Sequence, residues 1–579
     1  MGTSRIPVST CRLQLNRIFG FREVMLIASY LRKLGISDVY LSPVFRSRPG
    51  STHGYDITDP RTLNPELGSS ADFQDMVREL KRLDMGILLD IVPNHLAADA
   101  QNPWWMDVLE NGPASPWAQL FDIDWQAEVL PRNRLLLPVL GNPALEVINK
   151  GEILLKLDGD GLSLHYFENR FPLDVRSYGL VLSHVLDRSG PERVSHARNA
   201  DPARLLDSIE RLPPQGTSEL WHAGRYRERQ AVKAAFTDLL SGSAEIKDLI
   251  FHGIEAVNNR GEGDPSLDML KDLLEQQAYI LDFWKTGLPR VNYRRFFDIS
   301  DLAGVRVENP EFMDATHSLI YDLVREGRVT GLRIDHIDGL RDPLSYLRRL
   351  HSILSPGSRP NPQDPPFFLL VEKILTGDEV LPPEWPAHGT TGYDFLNVVN
   401  AVFIDPSGLS KLVERYGDVM DMKEGFEEIL YRKKKQVMDD LFRSEIKASA
   451  RRLAHLAALY SPDVTAEDLQ QAVIEMTACL PVYRTYIRDF NLSQTDRHYM
   501  EQAAGEALRR VPSLDMPIRF LKRVLFMESP LTAPDRCKDV WLDFVMRWQQ
   551  LTGAVMAKGH EDTALYNYSP LISINEVGG

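Results

Sequence analysis

Two hydrophobic periods alternate along the first hundred residues. Residues 7–15, PVSTCRLQL, alternate as a strand does, and residues 21–35, FREVMLIASYLRKLG, repeat apolar positions every three or four residues up to a glycine, predicting an amphipathic helix. Residues 36–44, ISDVYLSPV, read as a second strand. A second cycle follows, with a helical pattern over 71–86, ADFQDMVRELKRLDMG, and then ILLDIVPNH at 87–95, a continuous apolar run of the kind buried on both faces of a parallel sheet. The same signature returns at 329–339, VTGLRIDHIDG, and at 366–374, PFFLLVEKI, with helix-like PLSYLRRLHSIL between them.

Repeated strand–helix units on one chain point to an α/β barrel or a doubly wound sheet. Polar residues clustered just after the strands favour the barrel, whose chemistry sits at the strand C-termini. Two interruptions are too long for ordinary loops. One, 97–290, starts rich in proline and tryptophan with short strands and turns helical; the other, 405–545, is helical in composition. The expected organisation is a first barrel part over 1–96, an inserted mixed then helical region over 97–290, the barrel continued over 291–404, a helical insertion over 405–545, and a substrate-loop segment over 546–579 returning to the barrel. The inserts are expected to wall a cleft over the barrel mouth. Proline-rich sequence near 355–366 reads as a local loop, and no internal repeat is visible.

Composition narrows the function. The chain has 579 residues, 43% hydrophobic and 25% charged, which suits a soluble globular protein. Its formal net charge of -15 opposes nucleic-acid and anionic-membrane binding and favours a neutral substrate. Cys11, Cys479 and Cys537 are scattered without a CxxC pair, so neither a disulfide framework nor a zinc site is expected; they read as buried thiols, and no cofactor or metal is expected. The N-terminus lacks the basic and apolar regions of a secretory signal, and no run of about 18 apolar residues could span a bilayer. A cytoplasmic protein is expected.

Two strand ends offer paired carboxylates. Retaining glycosyl transfer needs a carboxylate nucleophile and a protonated carboxyl about 5–5.5 Å apart. Asp335 follows one apolar run and Glu372 ends the next, so neighbouring barrel strands would project both into one mouth. Arg333, two residues before Asp335, shares its strand face and is suited to hold a carboxylate ionised. Taken alone, an Arg–Asp pair that only neutralises buried charge is an equal alternative. Asn94 and His95 after the 87–92 run, and His336, could donate to sugar hydroxyls, with Asp90 bracing its neighbours. Tyr55, in the polar loop STHGYDITDP, could stack on a sugar face or cap the barrel core. Trp104, Trp105, Trp117 and Trp125 could line a sugar pocket or pack the insert's own core.

In order, HGYD, DIVPNH, GLRIDHIDG and a strand ending in VEK resemble the motifs of the alpha-amylase superfamily. More specific segments are STCRLQL, YLSPVFRSRPGSTHGYDITDP, NPWWMDVLENGPASPWAQLFDIDW, LPVLG, TTGYDFLN and VMAKGHEDTALYNY followed by ISINEVGG. These are similar to the maltooligosyl trehalose synthases and span nearly the whole chain. The resemblance implies a (β/α)8 TIM-barrel catalytic domain with large, mostly helical insertions. It makes Asp335 the nucleophile and Glu372 the general acid/base, with Arg333, His95 and His336 in the glucose subsite at the cleaved bond. It further implies that Lys373, Tyr393, Asp394, Lys558, Glu561 and Asp562 lie at or near the subsites for the reducing-end glucose.

The implied reaction is intramolecular transglucosylation, converting the reducing-end α-1,4 linkage of a maltooligosaccharide into an α,α-1,1 linkage. The implied partners are α-1,4-glucan ends and, metabolically, a maltooligosyl trehalose trehalohydrolase. In this family a further carboxylate, in a His-Asp doublet, follows the NEVGG segment, which here ends the sequence. The expectation is therefore a chain truncated before the last barrel strands and the C-terminal β domain, with the third carboxylate beyond residue 579. Two other readings are an α-1,4-glucan hydrolase or 4-α-glucanotransferase using Asp335 and Glu372, and an inactive glucan-binding fragment.

Overall fold

A computed structural model describes residues 5–159, 161–188, 201–212, 223–259, 264–354, 367–460, 463–528 and 535–577. At its centre lies a parallel sheet of six strands in chain order: β1 (Thr10–Leu13), β2 (Asp38–Leu41), β3 (Gly86–Ile91), β4 (Gly331–Ile334), β5 (Phe368–Val371) and β6 (Gly389–Thr390). The expectation was a TIM barrel cut short before its last strands; among the described residues the sheet is a half-barrel of six, with β1 and β6 at its edges. β3 and β4 are buried at every position, as their unbroken apolar sequences require of strands covered on both faces.

Helices fill the crossovers. α1 (Phe21–Leu34) buries Phe21, Val24, Ala28 and Leu31, whose spacing of three and four residues makes one stripe, and ends at Gly35, where φ is 99° and a side chain would be strained. α2 (Ser70–Arg82) buries Phe73, Met76, Val77 and Leu80, and its N-terminus is closed by a capping box between Ser69 and Asp72. α3 (Pro310–Arg325) and α4 (Pro343–Leu354) flank β4 in the same way.

Between β3 and α3 the chain makes a short antiparallel sheet, in which His95–Ala97 pairs with Ile299–Gly304, and a parallel pair of Leu135–Leu140 with Tyr279–Phe283. A three-stranded antiparallel sheet spans Ile153–Asp158, Gly161–Tyr166 and Asn169–Pro172, and helices such as Ala223–Gly242 and Ala244–Asn258 follow. After β6 the regular elements are almost all helical, up to a long helix, Asp535–Met556, that continues as a π-helix over Ala557–Ala564. Among the described residues two apolar cores result, one running from Leu15 to Trp385 and one from Val437 to Val555.

The structure decides among alternatives that the sequence left open and changes one expectation. Trp104 and Trp105 belong to the core: Trp105 sets its edge against Phe121 and Tyr293, while Trp104 stacks on Trp117 at 4.6 Å under the Arg61 guanidinium. Trp117 and Trp125 are half-buried against the same core, and the Trp125 indole N–H donates to the Ala118 carbonyl at 3.2 Å. Aromatic area offered by sequence as a sugar platform is thus largely spent on packing. Cys11 and Cys479 are half-buried, not buried; the Cys537 side chain and the proline-rich loop near 355–366 lie outside the described residues. Among the described residues no helix is long and apolar enough to cross a membrane.

Candidate active site

Register brings the charged groups together. Arg333 on β4 is aligned with Asp90 on β3 and Leu370 on β5, so the C-terminal ends of three adjacent strands deliver Asp90, Arg333, Asp335 and Glu372 to one place. Arg333 Nη1 donates to Asp90 Oδ1 and to Asp335 Oδ1, each at 2.7 Å, and its Nη2 lies 3.1 Å from Glu372 Oε1. One planar guanidinium therefore holds three carboxyls, a task its fork suits and an ammonium's point charge does not.

Asp90 is fully buried and braced from the other side, accepting from the Tyr40 hydroxyl at 2.9 Å and the Tyr55 hydroxyl at 2.6 Å. Arg12 in turn donates to the Tyr55 oxygen at 2.8 Å and lies over the Tyr40 ring. Tyr55 is thus tied by its phenol into the site's floor. Tyr40 and Arg12 were missed from sequence, although Tyr40 sits at a strand end on the same face as the next strand's Asp90 in the aligned register.

The turn after β4 is strained in a useful way. His336 adopts the left-handed region, with φ of 47°, which points the chain sharply away from the strand and lets its backbone N–H donate to Glu372 Oε2 at 2.7 Å. Gly339 permits this, since a Cβ there would stand 2.2 Å from His336 Cδ2. His95 is buried against the Phe296 ring at 4.2 Å, and Phe296 and Phe297 both lie 5.1 Å from the His336 ring. The two phenylalanines come from the distant segment before Ile299–Gly304 and carry no local sequence signal of a role here. Asn94 is already engaged, accepting from Arg294 at 2.6 Å.

Burial, and then the charge of Glu372, pushes the Asp335 carboxyl well above the usual range, against the pull of Arg333; burial also raises Asp90. An Asp335 held ionised by Arg333 was the sequence expectation; its burial and the charge of Glu372 work against that. Burial, assisted by His336, lowers His95 to about 3, which keeps its imidazole neutral. Asp335 Oδ2 and His95 Nε2 are buried without a hydrogen-bond partner among the described residues. Such groups are costly unless a ligand or water meets them.

The remaining predicted residues divide. Tyr393, half-buried after β6, feels the charges of Glu372, Arg333, Glu561 and Asp335. Lys558 lies over the Phe297 ring, 2.8 Å from Asp562 and 3.6 Å from Asp298. Glu561 accepts from the Tyr483 hydroxyl and is within electrostatic reach of Glu372; burial raises it to about 7. Lys558 and Glu561 approach from the π-helix. Lys373 and Asp394 do not join it. Lys373 is buried in an ion-pair cluster, 3.0 Å from Glu379 and 3.3 Å from Asp338, and Asp394 is exposed and accepts from Thr390 at 2.7 Å. Asp338 and Glu379 account for the first, since their two carboxylates hold the Lys373 ammonium.

A recess borders His336 and Gly339, walled by Asn94 and Phe297 and by Phe442 and Ala554 from the later helical region. Among the described residues no group of three or more His, Cys, Asp or Glu side chains could hold a metal ion.

Comparisons with known proteins bear on the fold and the family. Residues 26–134 match the family model described as alpha amylase, catalytic domain. A putative maltooligosyl trehalose synthase from Mycobacterium tuberculosis is 30% identical over 99% of this chain and 58% of its own length. The solved maltooligosyltrehalose synthase from Arthrobacter ramosus superposes with a TM-score of 0.71 at 31% identity, over 99% of this chain and 58% of its own. That from Sulfolobus tokodaii, described as hypothetical, gives 0.67 at 28% identity, with 99% and 58% covered. The chain spans a little under three-fifths of the relatives it matches, and its half-barrel sheet is part of a TIM-barrel-like domain. By sequence and fold it belongs to the alpha-amylase superfamily and is, along almost all of its length, a homologue of the maltooligosyl trehalose synthases.

Proposed function

We propose that this site performs retaining intramolecular transglucosylation on maltooligosaccharides, turning the reducing-end α-1,4 linkage into an α,α-1,1 linkage. The observation that carries the reading is the single Arg333 guanidinium bridging Asp90, Asp335 and Glu372 at the ends of adjacent parallel strands. Of the reacting pair, Asp335 has the shorter bond to Arg333, 2.7 Å against 3.1 Å for Glu372. In this reading Asp335, held more closely by Arg333, is the nucleophile and Glu372 the general acid.

Glu372 then protonates the oxygen of the last α-1,4 bond while Asp335 attacks the anomeric carbon, forming a glycosyl–enzyme and freeing the terminal glucose. Tyr393, Lys558, Glu561 and Asp562 retain that glucose, whose own anomeric hydroxyl is deprotonated by Glu372 as it attacks the intermediate from the same face. Asp335 leaves, and the α,α-1,1 bond forms with retention. Water is the competing acceptor, so the outcome depends on the effective concentration of held glucose. His95, neutral and unpaired at Nε2, supplies a hydrogen-bonding group for the sugar at the cleaved bond. A trehalose-releasing hydrolase is the reaction class that would consume such a product.

The test is incubation of the chain with maltopentaose, following reducing ends and free glucose together. Loss of reducing ends without matching glucose, abolished by Asp335→Asn, is the expected result. Glucose or shortened maltooligosaccharides alone would replace this reading with hydrolysis or 4-α-glucanotransfer, and no turnover by the folded chain would overturn it.

A further inference from the structure

We infer that Tyr483 is a positioning residue for the reducing-end glucose, fixing through its phenol the placement of Glu561 near Glu372. The inference deepens the function proposed above and rests on it for the identity of the sugar. Tyr483 is 4% exposed and its hydroxyl donates to Glu561 Oε1. Its ring lies 5.4 Å from the Lys373 ammonium, which is itself locked by Asp338 and Glu379. The phenol therefore has little freedom to follow Glu561 if the π-helix moves.

Both ends of the Tyr483–Glu561 contact are set by one buried lysine. Lys434, on the helix Phe426–Asp440, donates to the carbonyls of Leu480 at 2.7 Å and Ala478 at 3.3 Å, just ahead of Tyr483 in the chain. On its other side it packs against Gly559 of the π-helix, where a Cβ would stand 2.8 Å from Lys434 Cγ and 2.9 Å from its Cα. A π-helix is an irregular, costly element that concentrates at functional sites, and here it presents Lys558, Glu561 and Asp562 together. Lys434 thus registers the Tyr483 segment against the segment that bears its partner.

The chemistry of the contact is a charge-assisted hydrogen bond. Burial raises Glu561 to about 7; the Tyr483 hydroxyl opposes that rise, Asp562 and Glu372 add to it, and Lys558 opposes it. Tyr393 also faces this carboxyl from the helix after β6. Near neutrality Glu561 can therefore donate to or accept from a sugar hydroxyl, and Tyr483 biases it toward the accepting, ionised form. Because the phenol holds Glu561 and does not reach the reacting carboxyls in the described contacts, its effect on transfer runs through Glu561.

The experiment uses the full chain with ¹³C-labelled glutamate carboxyls, the Glu561 signal being assigned by its loss in Glu561→Gln. The parent is expected to titrate near 7, and Tyr483→Phe to raise that midpoint by about one pH unit. Site-specific 3-fluorotyrosine at 483, a stronger donor that keeps the packing, is expected to lower it. Calorimetric binding of maltose at pH 7 is expected to weaken about tenfold in Tyr483→Phe and in Glu561→Gln, with the double variant no weaker than Glu561→Gln alone. A midpoint that moves in neither tyrosine variant, additive binding losses, or no maltose binding by the parent would overturn the assignment. Titration and binding are read without turnover. An inactive parent therefore counts against transglucosylation, while Tyr483 stands or falls on the midpoint and the maltose binding.

Discussion

Replacing Arg333 by glutamine removes the only cation bonded to Asp90 and Asp335 in the described contacts and leaves three carboxyls together, two of them almost fully buried. Breaking a buried ion pair by deleting one partner costs about 3–5 kcal/mol, because the remaining charge is left uncompensated. Here the carboxyls can escape part of that cost by binding protons, so the loss depends on pH. Asp335 is already held well above the usual range by burial and by Glu372, and Asp90 by burial. A carboxyl raised in the folded state keeps its proton more tightly than the unfolded chain does. Its stabilising effect is full at pH below the unfolded value, about 4, and is lost as pH rises toward the folded value. Deleting Arg333 raises the folded values further and extends that loss upward in pH. The destabilisation of Arg333→Gln relative to the parent should therefore be small near pH 5 and approach about 3–5 kcal/mol near pH 8. Urea unfolding of both chains at the two pH values, followed by the fluorescence of buried Trp104 and Trp105, measures it. Equal destabilisation at both pH values, or a variant as stable as the parent at pH 8, would refute the shared-cation account of the site.

Three further outcomes follow from the same geometry. Tyr55→Phe removes one of the two phenol bonds to Asp90 and should cost about 1.5–3 kcal/mol of transition-state stabilisation, read as a fall in kcat/KM on maltopentaose with unfolding little changed. Lys373→Met should lower the unfolding free energy by about 3–5 kcal/mol, since Asp338 and Glu379 lose their shared buried ammonium. A substrate-subsite role for Lys373 would instead raise KM in a chain of parental stability. Gly339→Ala should depress kcat much more than it depresses stability, because its Cβ would displace the His336 ring and with it the backbone bond to Glu372; unchanged kcat would show the His336 turn to be incidental.

Local pattern determined much of this protein. The 3.6-residue stripe of α1 and α2, the glycine stop at Gly35 and the unbroken apolar runs of β3 and β4 are properties of neighbouring residues, and each appears where its periodicity places it. Parallel strands of one chain must end on the same side, so Asp90, Asp335 and Glu372 could be assigned to one mouth before any coordinate was known. What sequence could not decide was set by contacts across long separations. Phe296 and Phe297 reach His336 from a separate segment, Tyr40 meets Asp90 only through the register of β2 and β3, and Tyr483 meets Glu561 through the packing of Lys434. The same physics resolves what sequence left open: Trp104, suited to a sugar site or to a core, is spent on packing, and Lys373 is drawn into a buried ion-pair cluster by Asp338 and Glu379. The charge state of Asp335 likewise depends on burial and on Glu372, quantities that exist only once the strands are side by side.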